Sequence, residues 1–373
     1  MSDLHLGKRL KGYSLIEDQR YILNQILDIA YEQQADGVMI AGDVYDKNVP
    51  PSEAVELFDD FITALKKMNL PVFIISGNHD SAERLSFGAR IMEEEKIYFS
   101  GVFDGKMKKV TLNDEFGEVN IYLLPFVKPV NVRQFFEEEN IESYDDAVKT
   151  IISHTDIDES RRNIIVAHQY VTGASLCESE ELNVGTLDNI SASNFDAFDY
   201  AALGHIHGPQ NIIENKVRYC GTPLKYSFSE VNHKKSVTLV TLGEKGDVSV
   251  ELCPLEPLHD LVEIKGKYND ITARDFYEEI NTEDYIHFTL TDEQDIPYVL
   301  DKLGVIYPNI MALDYDNTRT RTMSEITETE QVENKSPFEL FGQLYKIQNG
   351  KEMDDIQQKY VSDLIEQIWG DYK

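Results

Sequence analysis

Five short stretches carry the residue types that metal-assisted hydrolysis needs: Asp3-Leu4-His5, Gly42-Asp43, Gly77-Asn78-His79-Asp80, Ala167-His168 and Gly204-His205-Ile206-His207. Together they supply carboxylate, imidazole and amide oxygen, the hard and borderline donors that two-metal hydrolytic sites use. The candidate ligands are Asp3, His5, Asp43, Asn78, His168, His205 and His207. Asp43 is the natural bridge, because the two oxygens of a carboxylate can hold ions roughly 3.5–4 Å apart. The alternation His205-Ile206-His207 turns both imidazoles to one side of an extended segment, one for each ion. His79 stands apart. Next to Asn78, a non-ligating histidine could contact a scissile phosphate and protonate the leaving oxygen, with Asp80 orienting its ring. Water acidified by the ions would be the nucleophile, so the reaction class is phosphoester hydrolysis.

Each stretch also has a plainer reading. Asp3 and His5 alone are an ordinary surface or turn pair, Asp43 is a helix cap, and Asn78-His79-Asp80 is turn chemistry. His168 alone is a satisfied, half-buried histidine. Order and position outweigh these readings, because each of the last four stretches directly follows a short apolar run. Val38-Met39-Ile40-Ala41 precedes Gly42, and Val72-Phe73-Ile74-Ile75 leads into Ser76-Gly77. Ile164-Ile165-Val166-Ala167 and Tyr200-Ala201-Ala202-Leu203 precede the other two. Between the first runs lie helical patterns: Ile22, Leu23, Ile26, Leu27 and Ala30, then Leu57, Phe58, Phe61, Ile62 and Leu65 after Pro50-Pro51-Ser52. Helices alternating with fully apolar strands imply a largely parallel, buried sheet. The carboxyl ends of such strands are where ligand sites converge. Gly42, Gly77 and Gly204 permit tight turns and close backbone approach there.

From about residue 97 the strands shorten and turn signals multiply. Residues 135–140 read as an acidic, solvated helix and 144–152 as another helix. Residues 216–219 and 236–242 read as antiparallel strands that close a second sheet. The expected fold is α/β, with two packed mixed sheets flanked by helices, a small α/β cap and a helical tail. The expected domains are a catalytic domain over 1–255, a cap over 256–320, and an acidic Thr/Glu/Ser-rich linker over 321–335. A tail over 336–373 follows, with Phe338, Leu340, Phe341, Leu344 and Tyr345, then Ile356, Val361, Leu364, Ile365, Ile368 and Trp369 at helical spacing. Such a stripe without a core of its own suits a partner.

Composition narrows the setting. The chain has 373 residues, 67 acidic against 35 basic, for a formal net charge of −32. A protein that binds DNA unaided usually shows a basic face. If the substrate is nucleic acid, metal ions or a more basic partner must supply much of the attraction. No run approaches the roughly 18 apolar residues of a membrane span. No basic-then-apolar leader is present, so a cytoplasmic location and no membrane association are expected. Cys177, Cys220 and Cys253 lie far apart and match no zinc spacing.

At these residues the sequence resembles the calcineurin-like metallophosphoesterases, with their ordered Asp-x-His, Gly-Asp, Gly-Asn-His-Asp, His and Gly-His-x-His stretches. Within them it is similar to the SbcD nuclease subunits. That likeness rests on residues 2–8, 41–46, 75–80 and 203–207, and on Gly221-Thr222-Pro223-Leu224-Lys225-Tyr226-Ser227-Phe228-Ser229-Glu230. The resemblance implies a four-layer metallophosphoesterase sandwich. It further implies a manganese-dependent nuclease with 3'–5' double-strand exonuclease and hairpin endonuclease activity, serving DNA repair, replication and recombination. Its partner would be an SbcC-type, SMC-like ATPase, in a heterotetramer built on a nuclease homodimer. One ion would take Asp3, His5, Asp43 and His207, and the other Asp43, Asn78, His168 and His205, with His79 facing the phosphate. Archaeal and eukaryotic relatives often place a histidine three residues after the bridging aspartate. Asp46 stands here instead, so that histidine's DNA contact does not transfer. Two rival readings are a small-molecule phosphodiesterase and a catalytically silent assembly subunit. Relatives also lead into their opening stretch with an apolar strand, and Met1 stands near where that strand would end. The expectation is a truncated or misassigned start, with Asp3 and His5 on a loose chain end and the first ion weakly held.

Overall fold

The computed structural model describes residues 1–177, 189–320, 338, 341–342, 344–346 and 352–369. Helix α1 (Ile16–Glu32) leads to strand β1 (Val38–Ala41), α2 (Ser52–Lys67), β2 (Val72–Ile75) and β3 (Ile97–Ser100). The three strands form a wholly parallel sheet in the order β1-β2-β3. Pro51 enters α2 in extended geometry (φ −66°, ψ 153°), and Lys66 and Lys67 close its last turn, where cations oppose the helix dipole.

The second sheet has six strands: β4 (Lys108–Asp114), β5 (Gly117–Leu124), β6 (Arg162–His168), β7 (Tyr200–Gly204), β8 (Gln210–Ile213) and β9 (Val217–Tyr219). Their order is β8-β9-β7-β6-β5-β4, parallel through the centre and antiparallel at both edges. Helix α3 (Tyr144–Ser153) begins at a capping box in which the Ser143 side chain accepts from the Asp146 amide.

Period-two alternation explains the layers. Ile40 and Ile74 point outward and share a core with Ile22, Leu23 and Ile26 of α1 and Leu57, Phe61 and Leu65 of α2. Ala41, Phe73 and Ile75 point inward and meet Ile121, Leu123, Ile164 and Val166 of the second sheet. Tyr122, Leu124, Ile165 and Ala167 face the far side, against Ala147, Val148 and Ile151 of α3. The result is helices, sheet, sheet and helices, the four layers expected. Each fully buried aliphatic or aromatic side chain contributes roughly 1.5–3 kcal/mol. That burial locks the register that carries the polar strand ends.

Two expectations are corrected. Residues 236–242 do not close the second sheet; β10 (Ser236–Leu242) pairs with β11 (Val248–Pro254) as a separate antiparallel ribbon. Residues 135–140 are not helical: a five-residue helix, Pro129–Arg133, ends before them. Of the three consecutive glutamates only Glu137 has a cation four residues away, Arg133, so a helix there gains little support from charge pairing.

Farther on, β12 (Leu261–Gly266), β13 (Tyr285–Leu290) and β14 (Ile310–Tyr315) form a three-stranded sheet. By contacts the chain divides into two compact units. One is Met1–Glu263 with Thr282–His287 and Tyr307–Ala312; the other is Ile264–Asn281, Phe288–Ile306 and Leu313–Lys373. The second buries Ile264, Ile271, Phe288, Leu290 and Leu303. The proposed linker over 321–335 lies outside the described residues, as does much of the tail's first half. Its second half contains α4 (Asp355–Trp369).

Candidate metal centre

The candidate ligands emerge where four neighbouring strands end. Ala41 and Ile75 are register partners in one sheet, and Gly204 and His168 are partners in the other. The polar residues after these pairs therefore leave the sandwich side by side. The opening segment joins them along β1. Met1 O accepts from the Ala41 amide at 2.9 Å, while the Asp3 and His5 amides donate to Gly42 O and Asp43 O, both at 3.0 Å. Leu4 and Leu6 are buried, and so are Asp3 and His5. The expected loose end is thus corrected for the chain as given: backbone pairing and two buried leucines hold this segment. Gln19 of α1 also clamps it, donating to His5 O at 2.8 Å and accepting from the Gly7 amide at 2.9 Å. The Tyr226 hydroxyl donates to Leu4 O at 2.5 Å and accepts from Gln19.

The donor atoms form two groups. In one, Nε2 of His5 and Nε2 of His207 face each other at 3.2 Å, with a carboxylate oxygen of Asp3 close enough to complete a three-donor set. In the other, Asn78 Oδ1 lies 2.9 Å from both His168 Nε2 and His205 Nδ1. Asp43 stands between them, its Oδ2 3.3 Å from His168 Nε2 and 3.8 Å from His5 Nε2. Neighbouring ligand atoms about 3 Å apart are what metal–donor bonds of about 2.1 Å at right angles produce. All seven candidate ligands are brought together.

Local backbone geometry is unusual at the same residues. Asp3, His5, Asp43 and His205 have φ of 53°, 43°, 49° and 98°, a region that side chains other than glycine's rarely occupy. Each such residue costs on the order of 1–3 kcal/mol and persists where the surroundings over-determine it. Gly77 is required for a different reason: a Cβ there would strike the Asp43 carboxylate and backbone nitrogen.

Burial makes the charges interdependent. Burial raises the Asp3 carboxyl, and the neighbouring Asp43 charge adds to that rise. Burial would raise Asp43 too, but His168 and His5 beside it outweigh this and hold it well below the usual carboxylate range. Burial opposes charging His168, yet Asp43 and Asp3 lift it to about 9. His205 is pushed down to about 3 by burial and by the His168 charge, and burial also lowers His5. Among the described residues, no Lys or Arg forms an ion pair with Asp3 or Asp43. Two fully buried carboxylates with only histidines beside them suit divalent cations.

His79 lies at the edge of this group, half-buried, its amide donating to Asp43 Oδ1 at 2.8 Å. Its Nδ1 meets Asp46 O at 3.2 Å. A carbonyl only accepts, so Nδ1 carries the proton and Nε2 is the free nitrogen. Asp80 does not orient this ring. Its carboxylate accepts from the Val44, Tyr45 and Gly77 amides at 3.1, 3.0 and 2.9 Å, and so braces the turns that carry Asp43 and Asn78. Burial, reinforced by Asp43, raises Asp80 to about 6 despite those three donors. Phe126, absent from the sequence reading, stacks against His205 with ring planes 20° apart.

Residues 1–209 match the family model of the calcineurin-like phosphoesterases, more than half of the chain. The chain belongs to the calcineurin-like phosphoesterase family. It is accordingly a metal-dependent phosphoester hydrolase. Residues 257–349 match a second model, the SbcD C-terminal domain, described as the type 5 capsule protein repressor C-terminal domain. The two matches in this order support an SbcD-type nuclease subunit within the calcineurin-like phosphoesterases. A solved structure, TT1561 of Thermus thermophilus, is similar at 11% identity and a TM-score of 0.36, over 63% of this chain and 94% of that one.

Proposed function

We propose that this chain is the nuclease subunit of an SbcCD-type complex, a cytoplasmic, manganese-dependent enzyme that cuts DNA ends and hairpins with an SMC-like ATPase. The observation that carries the hydrolytic part is the Asp43 carboxylate standing between two donor groups, with His79 at their edge. In this reading Asp3, His5, Asp43 and His207 hold one ion, and Asp43, Asn78, His168 and His205 the other. Two divalent ions bound there would draw in and polarise a phosphodiester and acidify water. The protein's own residues do the rest. His168 donates Nδ1–H to Ala41 O at 2.8 Å, which leaves Nε2 as its donor atom. His79, anchored through Nδ1–H, points Nε2 away from that anchor, and Nε2 would pass a proton to the leaving oxygen when the ring carries a second one.

The DNA and partner parts rest on the second family match and on the tail. Ile356, Tyr360 and Leu364 of α4, spaced four apart, are 82%, 68% and 42% exposed. An apolar stripe of this kind suits a helical partner. The complex would be a heterotetramer on a nuclease homodimer, in which the ATPase supplies the basic surface that a chain of net charge −32 lacks. The test is to incubate the purified chain and manganese, with and without the ATPase, on hairpin DNA and on a chromogenic phosphodiester. Manganese-dependent DNA cleavage, stimulated by the ATPase, is expected. Cleavage of the small ester but never of DNA would sink the nuclease reading. No cleavage of either would leave an assembly subunit.

A further inference from the structure

We propose that Glu230 is the positioning residue for His207: its carboxylate takes the Nδ1 proton of the imidazole, so that Nε2 presents its lone pair beside His5 and Asp3. The inference rests on the two-metal reading above and adds a residue to it.

Glu230 is fully buried, and its Oε1 lies 3.5 Å from His207 Nδ1. An ionised carboxylate only accepts, so this contact selects the Nδ1–H tautomer. His207 Nε2 is then the atom facing His5 Nε2 at 3.2 Å. Backbone carbonyls do the same for two other rings, Ala41 O for His168 and Asp46 O for His79. For His207 the acceptor is charged, which also makes the ring a stronger donor to a cation.

The carboxylate is itself held. Lys235 Nζ donates to Glu230 Oε2 at 2.6 Å, to Thr222 Oγ1 at 2.6 Å and to His207 O at 3.0 Å, which uses all three ammonium protons. The 3-10 turn Phe228–Glu230 that delivers the carboxylate is capped by the Ser227 side chain, which accepts from the Ser229 amide. This accounts for the Thr222 and Ser227-Phe228-Ser229-Glu230 positions. They form a bracket behind one imidazole. A buried Glu–Lys pair could instead serve only the fold, and replacing such a pair by neutral side chains is often nearly neutral for stability. That contrast defines the experiment.

Manganese is titrated calorimetrically into the metal-free full-length chain and into the double variant Glu230→Gln/Lys235→Met, which leaves no unpaired buried charge. One of the two binding events should weaken by about tenfold or more, the other should stay as in the wild type, and the metal-free unfolding midpoint should barely move. A purely structural pair predicts wild-type affinity at both sites, and that result would overturn the proposal. A second measurement needs no variant: long-range 1H–15N correlation on the metal-free wild type should show His207 protonated at Nδ1. An Nε2–H tautomer would overturn the proposal as well. A wild type that binds no ions would remove the two-metal reading, and this inference with it. Two wild-type sites left unaltered in the variant would remove this inference alone.

Discussion

At the scale of the residue, the division of labour among the histidines follows from what each Nδ1 touches. His168, His79 and His207 have Nδ1 beside acceptors, so Nε2 is the working atom in each. His205 is turned the other way, with Nδ1 facing Asn78. His79→Ala should therefore retain both ions, because its nitrogens are not in either donor set, while turnover falls by about 10²–10⁴-fold. Elemental analysis beside the cleavage assay checks this, and unchanged rates would refute the acid role. His168 gives a pH prediction with a definite sign. Raised to about 9 in the metal-free protein, it is protonated at pH 7, and a cation must displace that proton. Manganese affinity should rise as pH climbs towards 9, with proton release at pH 7 visible as a buffer-dependent heat. The stability from pairing His168 with Asp43 runs the opposite way. It is fully present below the ordinary imidazole pKa and is lost as pH rises through about 9. An affinity that does not change between pH 6 and 8 would contradict this account.

At the scale of the element, strand ends and the turns after them set the distances between ligands. The Asp80 carboxylate ties the turn after β1 to the turn after β2 through three amides, so the Asp43 and Asn78 turns move as one piece. Gly77 lies where these turns touch. In Gly77→Ala the new methyl would meet the Asp43 backbone nitrogen as well as its carboxylate, and a backbone atom cannot rotate away. The variant should lose about 1–3 kcal/mol of stability, the usual cost of overpacking. It should also bind its ions less tightly, since in the proposed two-metal arrangement Asp43 contributes to both. Urea unfolding of the metal-free protein with a parallel manganese titration would show both effects. An alanine variant that matches the wild type in both would mean the turns have more slack than these distances allow.

At the scale of the whole molecule, the chemistry lies in one compact unit, and the exposed apolar stripe of α4 belongs to the other. That separation makes the two properties separately testable. Replacing Ile356, Tyr360 and Leu364 together by serine should abolish co-purification with the ATPase and leave manganese content and hydrolysis of a small phosphodiester as they were. Retained co-purification would place the partner's contact elsewhere. The net charge of −32 bears on the same question, because the isolated chain should hold DNA weakly until the partner joins it.

The sequence by itself determined a good deal here, because the relevant signals are local. Apolar runs such as Val72–Ile75 specify buried strands whatever surrounds them, and the polar residue after each run has to emerge at a strand end. The candidate ligand types, their order and two packed sheets flanked by helices are legible on that basis. The second family of contacts was not. Gln19 lies in a helix whose apolar face was plain, yet it meets Tyr226, 207 residues away, and Tyr226 meets Leu4 across 222. Glu230 ends a stretch that only the resemblance singled out and Lys235 carries no signal of its own, yet folding buries both behind His207. Asp80 follows His79 in the chain but turns to the backbone amides of its own and the neighbouring turn. Even the opening stretch, which looked loose for want of a strand, is held by hydrogen bonds to residues about forty positions on. Which residues can ligate is a matter of side-chain chemistry, and the sequence states it. Which partners hold those ligands still depends on packing between distant segments, and only the tertiary structure decides that.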